Sequence, residues 1–479
     1  MQLTANNLKA VMKSETENGA VAYATTGKDL LDFSFQISKY RNASEKEIKN
    51  GFAKVFAEDN ILALKYLFYA GDIREGIGER KVFSTGMKWL CEEEPEIAKP
   101  LIKLIPEYSR WDVLVKLDNP VAHEIVAKQL TEDIDNMQNH KPISLLAKWM
   151  PSINTSSKET RELAKHYIRV LKLNAKTYRK TLAKLRAYSN VVERKMSDRQ
   201  WESIDYSAVP SKANLNYSQA FLTHDYDRRN QFLRDLANGK TKINAQVLQP
   251  HEIVEKYQYG RYDETYEQLW KNLPEMTTGD MLVVRDGSGS MFGRPLNVAT
   301  ALAVYTAQHN KGEWHNKFIT FSSRPELVDF SHCKSLSDIL QYCDDFDDCS
   351  NTNLYATFKL ILDAAVAAKA TLPETITIIS DMQFDGRSQS MSKTLMEEIQ
   401  EEYKEAGYKL PRIVFWNVSN YGSGLVQMHT NELGIVEISG FSVNLLKQVL
   451  SNEVDPYKVL LDTLNVPRYN KVIDTLYNR

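Results

Sequence analysis

Along roughly the first 275 residues, apolar side chains recur at three- and four-residue spacing, the pattern of helices with one buried face. The stretch "EKEIKNGFAKVFAEDNILALKYLFYAG" (45–71) carries it with few breakers. "VFSTGMKWLCEEEPEIAKPLIKLIPEYSRWDVLVKLD" (82–118) repeats it, with Pro100 and Pro106 as punctuation. "HEIVAKQLTEDIDNMQ", "ISLLAKWM" and "SKETRELAKHYIRVLKLNAKTYRKTLAKLRAYS" continue it, and no two-residue alternation interrupts them. Tandem helices without a clear repeat consensus predict an α-helical repeat module over residues 1–277, an irregular HEAT-like solenoid. A plain globular helical domain is the alternative.

Near Asp280 the pattern changes. The short apolar runs "MLVVR", "NKFITFS", "ETITIISD", "PRIVFWNVS" and "GIVEISG" alternate with the helical stretches "PLNVATALAVYTAQHN", "NLYATFKLILDAAVAAKA", "SKTLMEEIQEEYKEAG" and "FSVNLLKQVL". Strand and helix in alternation predict a doubly wound parallel sheet, Rossmann-like, covered by helices on both faces, over residues 278–452. The expected fold class is therefore α plus α/β. Residues 453–479 are expected to pack back on the helical module.

Length and composition fit this picture. A chain of 479 residues is too long for one core, and 43% hydrophobic with 25% charged residues is ordinary for a globular protein. No run approaches the ~20 apolar residues of a membrane helix, and the start, "MQLTANNLKAVMKSETENG", has no apolar signal core. Four cysteines, Cys91, Cys333, Cys343 and Cys349, are too few for a disulfide scaffold and fit a reducing compartment. A cytoplasmic protein is the expectation. The net charge of −2 hides an asymmetry, because 161–200 holds 12 basic and 3 acidic residues. Such an excess is either a contact surface for a polyanion or a solvated helix face.

The chemistry concentrates in "VVRDGSGSM" (283–291). Asp286, Ser288 and Ser290 follow a strand at alternating positions, and Gly287 and Gly289 leave the backbone free to turn. Carboxylate and hydroxyl oxygens are hard ligands suited to Mg²⁺ or Mn²⁺. Thr352, before a helix, and Asp381, at the end of a strand, would reach the same sheet edge, where open α/β sheets bind ligands. Phosphate chemistry fits less well. A Walker A loop needs a lysine after its last glycine, where Ser290 stands, and an aspartyl-phosphate phosphatase needs an aspartate where Val284 stands. "GSGSM" is not a serine-hydrolase elbow either, and none of the 9 histidines signals a serine partner. A generic Ser/Gly turn is the remaining alternative.

The constellation Asp286, Ser288, Ser290, Thr352 and Asp381 resembles the metal-ion-dependent adhesion site of von Willebrand factor A domains, with "NTN" where many members show Gly-Thr-Asp. That resemblance implies a doubly wound fold and a metal that takes an acidic ligand from a protein partner. The helical half carries "DIREGIGERKVF", "IPEYSRWDVL", "YRKTLAKLRAYSNVVERKMSDRQW", "YSAVPSKANLNYSQAFLTHDYDRRNQFL" and "KINAQVLQPHEIV". With "FWNV" and "SGFSVNLLK", these resemble a plant, bacterial and phage family that is similar to the TROVE proteins, the Ro autoantigen group. The resemblance spans nearly the whole chain. It implies helical repeats closed into a ring and the binding of non-coding or misfolded RNA, structured or single-stranded.

RNA binding calls for cations to meet phosphates and for flat side chains to meet bases. The candidates are Arg74, Arg80, Lys81, Arg110, Arg179, Lys180, Lys184, Arg186, Arg194 and Lys195. Trp111, Trp149 and Trp201 read as core, and "HDYDRR" (224–229) reads as a salt-bridge network tying helices as readily as an RNA contact. The expected function is a non-enzymatic RNA-binding protein with a metal docking site. An adhesive scaffold without RNA is the second reading. A metal-dependent phosphohydrolase, lacking a nucleophile and a general base, is the third.

Overall fold

In the computed structural model, residues 13–15, 21–23, 26–189, 191–257, 263–275, 279–347, 352–382, 395–418, 435–449 and 455–477 are described. The chain divides between two units. Residues 1–63 and 245–466 form one, and residues 64–244 and 467–479 the other. The second is helical in every regular element described. The first holds a six-stranded sheet.

A short antiparallel hairpin, β1 (Lys13–Glu15) and β2 (Val21–Tyr23), precedes the helices. The sheet follows: β3 (Met281–Asp286), β4 (Lys317–Phe321), β5 (Leu327–Asp329), β6 (Thr375–Ser380), β7 (Arg412–Asn417) and β8 (Ile435–Ser439). Its order is β5-β4-β3-β6-β7-β8, and every pairing is parallel except the antiparallel β4–β5 edge. All six residues of β3 are buried, as a central parallel strand requires. The core on one side joins Leu282, Val284, Ile376, Ile378, Ile413 and Phe415 of the strands to Phe358 and Tyr403 of the helices Leu354–Ala368 and Leu395–Glu405. The chain runs from β3 outward to β4, then crosses back to β6 on the other side. The carboxyl ends of β3 and β6 therefore flank the point where strand order reverses.

The two units do not follow the division expected at 277/278. The helix Pro250–Tyr257 packs on Arg294–His309, and Glu264–Lys271 on Leu336–Asp344, so residues 245–277 belong with the sheet. The segment near residue 40 belongs there too. Ser38 and Ser439 hydroxyls meet at 2.8 Å, and the Arg41 guanidinium lies 3.7 Å from the Phe441 ring centre. Both contacts fall beside β8, an edge strand whose free side needs cover. The C-terminal stretch divides as well. Pro456–Leu464 packs on β8, and Pro467–Tyr477 packs on the helix Pro95–Leu101 of the helical unit.

Within the helical unit, side-chain caps start three of the described α-helices, Pro120–Gln138 among them. Ser157 accepts from the Thr160 amide and Asn174 from the Thr177 amide. Helices approach closely where glycine allows it. A Cβ on Gly71 would stand 2.3 Å from Phe83 Cγ. Phe83 in turn meets Phe68, whose ring lies 5.1 Å from that of Tyr108. Beside this cluster sits Asp72, fully buried. It accepts 2.9 Å and 3.1 Å hydrogen bonds from Arg468 Nη2 and the Tyr469 hydroxyl of the last helix. The carboxylate holds the Arg468 guanidinium well above its ordinary pKa. "DIREGIGERKVF" is thus in part the socket for the C-terminal helix.

Candidate functional site

The loop after β3 takes its shape from small residues. Gly287 runs close to the backbone of the following acidic turn. A Cβ there would lie 3.3 Å from Asp347 Oδ1 and 3.5 Å from the Phe346 carbonyl oxygen. Met291, fully buried, anchors a 3-10 turn over Gly289–Met291, and Gly293 at φ 89° feeds the helix Arg294–His309. Ser290 and Phe292 are left facing solvent, Phe292 at 85% exposure.

Asp286 is fully buried. One carboxylate oxygen accepts a 2.9 Å bond from the Ser288 amide, and the other accepts from the Ser380 hydroxyl. The Ser288 and Ser290 hydroxyls are 3.1 Å apart. Asp381, also buried, follows Ser380 at the end of the neighbouring strand. Burial first, and then the negative charge of Asp381, push the Asp286 carboxyl up to about 7 against the relief given by Ser380 and Ser288. Thr352 is buried just ahead of the helix Leu354–Ala368, which Asn353 caps by accepting from the Ala356 amide at 2.9 Å.

This donor set fits a small hard cation. Neighbouring ligands of an octahedral Mg²⁺ stand about 3 Å apart, close to the Ser288–Ser290 spacing. A divalent cation would also offset the mutual repulsion of the two buried carboxylates. Two neighbours escaped the sequence reading. One is Ser380, adjacent to Asp381 in "TIISD". Arg285 points back from the loop, 1% exposed, giving Nε to Thr300 Oγ1 at 3.0 Å and a terminal nitrogen to Asp347. It holds the acidic turn in place.

The predicted cations fall into three environments. Arg110 makes a two-pronged pair with Asp112 at 2.8 and 2.5 Å and lies 4.0 Å over the Trp149 ring. Arg80 approaches the same carboxylate at 3.6 Å. Burial raises the Asp112 carboxyl, but Arg110 and Arg80 outweigh it and hold it below the usual range. Arg80 and Lys81 also line a cavity of about 490 Å³ with Lys88, Lys116, Asp112 and Glu159. Arg74 donates to the Glu107 carbonyl.

Arg194 pairs with Asp198 at 2.7 Å, and Lys195 donates to the Ser203 carbonyl at 2.6 Å. Arg186 turns inward. It donates to the carbonyls of Ala147 and Met150 at 2.8 and 2.7 Å and to Ser152 Oγ at 2.9 Å, and so closes the end of the helix Leu146–Trp149.

Arg179, Lys180 and Lys184 differ from all of these. They are exposed, with no ion-pair partner among the described residues. With Lys176 they form one face of Ala175–Tyr188, a helix that contains no acidic residue. "HDYDRR" lies mostly at the surface, but its arginines tie helices together. Arg228 donates to Asp225 and to the carbonyls of Trp201 and Ile204, and Arg229 is fully buried among Tyr206, Phe221 and Phe232. Trp111, Trp149 and Trp201 are half-buried rather than core.

The models of two domains of unknown function match the chain, DUF2828 over residues 16–109 and 154–281 and DUF7788 over residues 280–463. An uncharacterised protein of Acanthamoeba polyphaga mimivirus, L728, is 31% identical over 94% of this chain and 87% of its own length. The chain belongs to the family of that viral protein. The family is therefore shared along both the helical region and the sheet. The two domain matches meet at residues 280–281, where β3 begins, a sequence boundary that the two structural units do not respect.

Proposed function

We propose that this protein is a non-enzymatic RNA-binding protein, similar to the TROVE group, whose sheet unit is a von Willebrand factor A-like domain with a divalent-metal docking site. The observation that carries the reading is the acid-free helix Ala175–Tyr188, with Lys176, Arg179, Lys180 and Lys184 on one solvent face. Among the other predicted cations, Arg80, Arg110 and Arg194 face carboxylates, and Arg74, Arg186 and Lys195 donate to backbone carbonyls. These four remain available to phosphates. The HEAT-like character of the helical unit and its closure into a ring belong to the same reading, as do a non-coding or misfolded RNA ligand and a cytoplasmic location. No described helix is long and apolar enough to cross a membrane.

The test is binding of fluorescent single-stranded and hairpin RNA as a function of salt. Each lost phosphate contact lowers the logarithmic salt slope by about 0.7 to 0.9. Replacing all four cations by Gln should therefore lower it by roughly 3. Absence of binding near physiological salt, or an unchanged slope in the variant, refutes the reading.

In this proposal Asp286, Ser288, Ser290, Thr352 and Asp381 hold Mg²⁺ or Mn²⁺, which supplies an open coordination position for an acidic side chain of a protein partner. The exposed Ser290 hydroxyl and the exposed Phe292 beside it favour docking at this loop. They also favour the second reading, a metal-dependent scaffold without RNA. In that case Asp286→Ala abolishes partner capture, and the protein purifies free of nucleic acid.

A further inference from the structure

The helical unit contains a cluster that none of the foregoing uses. Asp118 precedes the helix Pro120–Gln138, His123 lies in its first turn, and His166 lies on Lys158–Val170. The two imidazoles meet Nε2 to Nε2 at 3.2 Å, with ring centres 4.4 Å apart and ring planes tilted by 58°. Asp118 Oδ1 stands 3.7 Å from His123 Nε2, and all three ligand atoms lie within 4.8 Å of one another. We propose that Asp118, His123 and His166 form a transition-metal site, with Zn²⁺ the fitting occupant, that clamps these two helices together.

The distances carry the inference. Two nitrogens each ~2.0–2.1 Å from a tetrahedral zinc ion stand roughly 3.3 Å apart, and the imidazoles are already 3.2 Å apart. The Asp118 side chain is 97% exposed, so it swings by a single-bond rotation without disturbing packing, whereas that of His123 is only 14% exposed and fixed. Tyr167 sets both rings, meeting each edge-on at 5.8 and 5.5 Å, and donates its hydroxyl to the Val115 carbonyl at 2.9 Å. Burial and the neighbouring His166 depress the pKa of His123, which keeps it in the neutral form that metals bind. Two imidazoles and one carboxylate suit zinc better than magnesium, so the site differs in chemistry from the all-oxygen set around Asp286. Water from the open side completes four-coordination.

The experiment uses the full chain without an affinity tag, in millimolar Mg²⁺ to saturate hard-ligand sites. Co²⁺ is titrated and its visible spectrum recorded, then Zn²⁺ is added. One equivalent of Co²⁺ should give the intense bands of a tetrahedral centre, displaced by Zn²⁺, in the native chain and in Asp286→Asn alike. His166→Gln preserves a hydrogen bond to His123 and so protects the fold, which unfolding in chelator confirms. It should weaken Zn²⁺ binding by more than about a hundredfold, beyond what loss of an outer-shell partner costs. His123→Ala should do the same. Overturning results are a native chain that binds Co²⁺ only at millimolar concentration, or a spectrum that survives His166→Gln unchanged.

Discussion

Asp286 offers a sharp test of the metal centre, because the same carboxylate that would bind a cation destabilises the metal-free fold. It has no exposure and faces the charge of Asp381, and both push its carboxyl well above the usual range, to about 7. Ionising a buried carboxylate against a second negative charge costs on the order of 1–3 kcal/mol or more. Asparagine has the same shape. Its oxygen accepts from the Ser288 amide, and its NH₂ meets Ser380 Oγ. Asp286→Asn should therefore stabilise the sheet unit in EDTA at pH 8, by about 1 to 3 kcal/mol, and abolish the response to Mg²⁺. The native chain should gain about 2.7 kcal/mol at a hundredfold excess of Mg²⁺ over its Kd. The pH dependence follows from a folded pKa above the unfolded one. In EDTA, this group's contribution is greatest below pH 4 and is lost as pH rises through about 7. The Asn variant lacks that decline. Calorimetric unfolding across pH, with and without Mg²⁺, reads all of this. If Asp286→Asn unfolds earlier than the native chain in EDTA and still gains stability from Mg²⁺, the argument fails.

The other predictions concern the helical unit. Arg468→Ala strands the buried Asp72 carboxylate and should cost about 3–5 kcal/mol, measured by urea unfolding. Gly71→Ala forces a Cβ to 2.3 Å from Phe83 and should cost about 1–3 kcal/mol or more, with Phe83→Leu partly relieving it. Arg186→Ala should lose about 1–3 kcal/mol of stability and leave the RNA salt slope unchanged. Lys180→Ala should do the opposite, moving stability by less than about 0.5 kcal/mol and the slope by about 0.7 to 0.9.

The strands that bury both faces were legible as apolar runs. "MLVVR", "ETITIISD" and "PRIVFWNVS" correspond closely to β3, β6 and β7. Leu327–Asp329 was not read as a strand, because three residues at a sheet edge carry no period, and the same holds for Lys13–Glu15 and Val21–Tyr23. The loop chemistry at Asp286 was visible because its ligand types sit at alternating positions. Ser380 was hidden because a serine in a buried strand looks like any other small residue. Charge counting could not separate Arg186 from Lys180, since direction on a helix decides which is available. The pairing of His123 with His166 depends on helix packing, to which a spacing of 43 residues gives no clue.

The Asp72–Arg468 bond also has an order in time. Its partners are 396 residues apart in the chain, and synthesis at about 5–20 residues per second separates them by some 20 to 80 seconds. Throughout that interval Asp72 lacks Arg468 and Tyr469, and the Pro95–Leu101 helix lacks the Pro467–Tyr477 helix that packs on it. The helical unit therefore lacks its last helix until residues 245–466 of the sheet unit have left the ribosome. The sheet unit, begun by residues 1–63 and finished by residue 466, is complete in sequence before the helical unit, and nascent chains halted before Arg468 should be the forms that chaperones hold.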